Sequence, residues 1–216
     1  MLPDRGTVTL VIATILLGLL ADQHGGPWGQ PLVSVWTWGL FAALVWRSTG
    51  QRSQLVACLF IATAGEVVLS LVWQLYDYRL GNIPLFVPPG HGLLYWLGLQ
   101  LAPRLPRTLL AATPWLALAG VSALALGGAD WLGPPLLLVF LLCVRYGPAP
   151  RLYVCMFLLS LAMELWGTWL GNWAWRPAIP VLGWPVTNPP LAAGAFYCVL
   201  DLLCGFVRRD QACHAG

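Results

Sequence analysis

The chain has 216 residues, 59% of them hydrophobic and 9% charged, whereas soluble globular domains carry roughly 25% charged residues. Its formal charge of +3 is carried without a single lysine, by eleven arginines, and no basic run or basic–aromatic patch suggests nucleic acid as a partner. Apolar runs of 15 to 22 residues, separated by short polar joints, match helices crossing a hydrocarbon core of roughly 30 Å. The alternating segments of a β-barrel are absent. The expected fold is all-α, a polytopic transmembrane helical bundle in a cell membrane.

In chain order, eight spans are expected: residues 7–21, 31–46, 55–76, 88–102, 108–126, 131–144, 152–171 and 190–207. The fourth and sixth are short, as a tilted, proline-kinked or re-entrant helix would be. Arginines supply the orientation. Arg5, Arg47, Arg52, Arg104, Arg107, Arg145, Arg151, Arg208 and Arg209 fall in the tails and the even joints, while only Arg79 and Arg176 fall in odd ones. Positively charged joints stay cytoplasmic, which places both termini there. Residues 7–21, followed by Asp22, also fit a cleavable signal peptide; the internal symmetry described next favours a retained first helix.

Setting Glu66 over Glu164 aligns the two halves of the chain. "VACLFIATAGE" lies over "VCMFLLSLAME", with Arg47 near Arg145 in the joint before each. Downstream, Tyr76, Tyr78 and Arg79 correspond to Trp173, Trp175 and Arg176. Ile83-Pro84 corresponds to Ile179-Pro180, and Pro88-Pro89 to Pro189-Pro190. The chain thus reads as a 4+4 internal repeat, residues 1–104 and 105–216, forming one membrane domain. An even number of spans per half makes the repeats parallel, about an axis along the membrane normal.

Glu66 and Glu164 lie midway along their helices, roughly 16 to 18 Å from the cytoplasmic end at ~1.5 Å per residue. An acid at that depth costs several kcal/mol on most scales and must face the bundle interior with a partner. Facing each other across a twofold axis, the two acids would share a proton. The alternative is structural, with each Glu holding a backbone group or a Trp indole. Asp201, in the last span, is a third buried acid. His91 follows Pro88-Pro89-Gly90 at a helix start, titrates near neutrality, and has Ala192 as its counterpart. Glu66, Glu164, Asp201 and His91 are therefore the catalytic candidates. Tyr76, Tyr78, Arg79, Trp173, Trp175 and Arg176 are the candidate walls of a substrate cavity, although an interfacial belt accounts equally for Trp28, Trp131, Trp184 and the Trp173/Trp175 pair. Asp77 and Arg79 are expected to pair locally, and Gly167-x-x-x-Gly171 to mark a close helix crossing. The six cysteines show no paired spacing and read as packing residues. Three histidines close no ligand set, so neither metal nor cofactor is expected.

The stretch "ELWGTWLGNWAW" resembles the small membrane-bound lycopene cyclases, which are also small helical proteins with duplicated acidic helices. The paired Glu-Glu and Pro-Asp-Asp signatures of that family are absent, so no residue roles are carried over. Three functions remain open on these residues. The first is an intramembrane enzyme doing acid–base chemistry on a lipid or isoprenoid, with buried acids as proton donors and aromatic faces shielding a cation. The second is a small proton-coupled carrier. The third is a non-catalytic subunit of a homo-oligomer or larger complex.

Overall fold

The structure, a computed structural model, describes residues 5–214, with side chains as far as Phe206. Its eight α-helices among those residues are α1 (Arg5–His24), α2 (Gly26–Arg47), α3 (Arg52–Glu66), α4 (Val87–Leu101), α5 (Arg107–Leu126), α6 (Gly133–Tyr146), α7 (Pro150–Leu170) and α8 (Ala195–His214). Prolines sit in the first turns of α2, α4, α6 and α7, where the missing N–H costs no hydrogen bond and the fixed φ suits a helix. Gly171, at φ +82°, closes α7 in the left-handed conformation that glycine adopts without steric penalty.

Four segments are long and apolar enough to cross a membrane: Arg5–His24, Thr49–Val72, Arg107–Leu126 and Pro150–Leu170. α6 and the apolar part of α8 are shorter. The outer surface is itself apolar. Leu126 is 90% exposed and Trp46 78%, and Trp115 and Trp169 stand out beside them. Soluble monomers rarely show such continuous apolar surface; hydrocarbon is its natural solvent.

Inside, α3, α4, α7 and α8 form a closed quartet in which α3 packs on α4 and α8, and α7 packs on the same two. α1 and α2 pair on one flank and α5 and α6 on the other. At one end the arginine-bearing joints interlock. Arg151 donates to the carbonyls of Pro103 and Leu105 at 3.5 and 3.2 Å, and Arg52 donates to those of Val45 and Trp46. Within α1, Val11 and Asp22 are almost fully buried.

The other end adds a short two-stranded ribbon to the all-helical fold. The third span was expected to run to Tyr76. Instead α3 widens into a π-helical turn, Val67–Val72, and stops before Gln74, whose φ of +57° lies in the left-handed region that ends a helix. Strand β1 (Tyr76–Tyr78) follows and pairs antiparallel with β2 (Trp173–Trp175) after α7. The register joins Tyr76 to Trp175, Asp77 to Ala174 and Tyr78 to Trp173. Beyond the strands, Arg79 N–H donates to the Asn172 carbonyl and Arg176 N–H to that of Leu75, both at 2.9 Å. A short ribbon thus caps the bundle end opposite the arginine-rich joints.

Candidate functional site: two carboxylates under an aromatic ribbon

Side chains alternate across a strand, and this alternation builds the site. Tyr76, Tyr78, Trp173 and Trp175 point inward and are buried, while Asp77 and Ala174 point out. The inward rings pack together, Tyr76 on Trp175 with centroids 4.9 Å apart and Tyr78 on Trp173 at 6.2 Å. The belt reading therefore fails for Trp173 and Trp175, which are 7% and 6% exposed, while Trp28, Trp131 and Trp184 do lie on the surface.

Each ribbon strand serves the glutamate of its own preceding helix. The Tyr76 and Tyr78 hydroxyls donate to Glu66 Oε2 at 2.9 and 2.7 Å. The Trp173 and Trp175 indoles donate to Glu164 Oε2 at 2.8 and 2.9 Å. Gly167, expected at a helix crossing, instead makes room for the Trp173 ring, which a Cβ there would strike. Charge-assisted hydrogen bonds of this kind hold a carboxylate in one orientation. The two glutamates line one cavity of about 120 Å³ together with His91 and the four ribbon rings; no hydrogen bond joins them to each other among the described residues.

Beyond these paired bonds the two sides differ. Glu66 Oε1 faces His91 Nε2 at 3.3 Å, and His91 Nδ1 lies 2.9 Å from the Val87 carbonyl. A carbonyl only accepts, so Nδ1 carries a hydrogen. The Nε2–Oε1 contact is then bonded only when a proton sits between the two, on the ring or on the carboxyl. The His91 ring is stacked on Tyr197, 5.3 Å away at an interplanar angle of 9°, which fixes its plane. Glu164 has no such partner. Its two donors are indole N–H groups, which do not release protons near neutral pH, and its Oε1 accepts no protein hydrogen bond among the described residues.

The other candidates lie elsewhere. Arg79 does not pair with Asp77; its guanidinium donates to the Asp22 carbonyl at 2.7 Å and to Asp22 Oδ1 at 3.3 Å. Asn172 donates to Asp22 Oδ2 at 2.7 Å and to the Leu19 carbonyl at 3.0 Å. Asp22, at the end of α1, therefore anchors the segments flanking both ribbon strands. Asp77 pairs instead with Arg176, at 2.9 and 3.1 Å, on the exposed face of the ribbon. That hydrogen-bonded carboxylate pushes the Arg176 guanidinium further up from its ordinary value. The local pair does not form because Arg79 lies beyond the end of β1 and is engaged by Asp22, while the antiparallel strand brings Arg176 to Asp77. Asp201 is outside the cavity. It is buried in α8 and neither carboxyl oxygen has a hydrogen-bond partner among the described residues. Five of the cysteines are described and all are free and buried, as packing residues would be.

Sequence reasoning missed the Glu66–His91 contact, the stacking of Tyr197 and the role of Asp22. Only a weak signal pointed to Tyr197, its position one helical turn before Asp201 on the same face of α8. Among the described residues no group of His, Cys, Asp and Glu is arranged to hold a metal ion. The chain matches no protein-family model, and no curated protein or solved structure matches it.

Proposed function

We propose that the protein is an intramembrane enzyme that moves a proton to and from an unsaturated lipid or isoprenoid, with Glu66 and His91 as the acid–base pair. The observation that carries this reading is the Nε2–Oε1 contact at 3.3 Å. It holds one transferable proton at the wall of a cavity otherwise dominated by aromatic and aliphatic side chains. A proton delivered to a substrate double bond leaves a carbocation. The carboxylate of Glu164 and the faces of Tyr76, Tyr78, Trp173 and Trp175 stabilise that charge. Loss of a neighbouring C–H proton back to the Glu66–His91 pair restores it. Atoms balance without an oxidant or cofactor, and the net change is an isomerisation, either a double-bond shift or a ring closure.

The finer architecture belongs to the same proposal. The chain crosses the membrane eight times as a parallel 4+4 duplication, with both termini on the cytoplasmic side. In support, β1 and β2 pair symmetrically about Asp77 and Ala174, and each strand's aromatics hold the glutamate of its own half. A purely structural role is the second reading, favoured by the two indoles that bind Glu164. Mass spectrometry of lipids co-purified with the wild type and with Glu66→Gln/Glu164→Gln separates the two. Catalysis predicts that the variant retains a less processed unsaturated lipid. Bulk phospholipid alone in both preparations refutes it.

A further inference from the structure

A second cavity, of about 510 Å³, lies between α3 and α8. Its walls are apolar, with Gly65 and Val68 from α3 facing Val199 and Leu203 from α8. Val68, Val199 and Leu203 are 51%, 38% and 42% exposed, so the groove opens sideways, on the flank of a membrane-length helix. At its inner end it reaches Glu66 and His91, which also line the chamber beneath the ribbon. The groove therefore adjoins the candidate site, with Glu66 and His91 as walls common to both. The π-helical turn that ends α3 begins directly after Glu66. At Gly65 a Cβ would meet no atom within 4 Å, so this wall is open where a side chain would otherwise fill it.

The two cavities differ in what they can hold. Sites for small organic ligands run to roughly 300–1,000 Å³; the groove falls in that range, and the chamber, at about 120 Å³, does not. A long-chain substrate cannot be enclosed by the chamber, which admits one end only. Two carboxylates line it, and its one basic group, His91, is already engaged by Glu66. An anionic headgroup is repelled there, and the double bond that the acid–base reading places there is uncharged.

We propose that the α3–α8 groove is the lateral entry and tail-binding site for a single hydrocarbon chain, the tail of the substrate whose uncharged reactive end occupies the chamber. Which end points inward rests on the acid–base reading above; occupancy of the groove does not. The occupant is a chain of the substrate itself, because the groove's only titratable walls besides Tyr197 are Glu66 and His91, the pair that also lines the chamber.

Photo-crosslinking of the full-length protein in lipid nanodiscs tests this, using a prenyl alcohol with a diazirine at mid-chain. Cross-links are expected to concentrate on peptides covering residues 61–69 and 196–206. Leu203→Trp, which fills the mouth, should lower them roughly tenfold, while Leu126→Trp, on the exposed face of α5 away from the groove, should barely change them. Labelling spread evenly over α1, α5 and the α3–α8 face would mean bulk lipid contact and would overturn the proposal. So would wild-type labelling in a monodisperse Leu203→Trp preparation. If Leu203→Trp does not fold, the wild-type map decides alone. Turnover by Glu66→Gln is read separately: normal turnover removes the acid–base reading and leaves the groove standing, whereas no turnover with even labelling removes the groove only.

Discussion

The hydroxyls of Tyr76 and Tyr78 offer the most direct test of the ribbon's purpose, because Tyr→Phe removes one oxygen and leaves the ring in place. Tyr78 is 8% exposed and donates to Glu66 Oε2 at 2.7 Å. A buried hydrogen bond to a charged group contributes roughly 1.5–3 kcal/mol. In a chain of this size each kcal/mol moves the melting temperature by roughly 2–4 °C, so Tyr78→Phe should lower it by roughly 3 to 12 °C. Tyr76→Phe removes the companion bond at 2.9 Å and should cost a similar amount. Both donors serve one oxygen, so the double variant should lose more than the sum of the singles, the second loss leaving Oε2 bare. The assay is thermal unfolding in detergent, with Tyr146→Phe as control. Tyr146 is 74% exposed, and its substitution should shift stability by less than about 0.5 kcal/mol. If Tyr78→Phe shifts the midpoint no more than Tyr146→Phe does, the phenols do not hold Glu66.

Three further outcomes are expected of the same unfolding assay. Gly167→Ala drives a methyl into the Trp173 ring and should cost roughly 1–3 kcal/mol; an unchanged midpoint would mean the indole does not lie against α7. Asp22→Asn breaks the buried end of the Arg79 pair and should cost about 3 kcal/mol, whereas Asp77→Asn breaks an exposed pair and should cost under about 1 kcal/mol, with the opposite ranking refuting the anchor role of Asp22. Asp201→Leu replaces an acid whose two oxygens lack partners among the described residues, so it should leave stability unchanged or raise it; marked destabilisation would show that the carboxyl is bonded.

The sequence by itself determined the helical membrane class, the order of the helices and most of their ends. Those properties follow from local quantities, namely run length, proline at helix starts and arginine at the joints. It also singled out Glu66, Glu164, His91 and the two aromatic pairs, because polar groups in apolar helices and a recurring aromatic-x-aromatic-Arg unit stand out against an apolar background. The tertiary structure alone decided how these residues meet. Nothing in the order of residues shows that Gln74 turns left-handed, that Tyr76 leaves the helix, or that β1 finds β2 across nearly a hundred residues. Antiparallel pairing placed Asp77 against Arg176 rather than Arg79, and released Arg79 to Asp22. Likewise, His91 reaches Glu66 because α4 packs on α3, a contact set by side-chain volumes on two helices rather than by any motif. Asp201, alike in sequence to the other buried acids, was separated from them by its depth along α8. Local pattern fixes which segments are helices and which residues are unusual there; distance and partner are properties of packing between segments far apart in the chain.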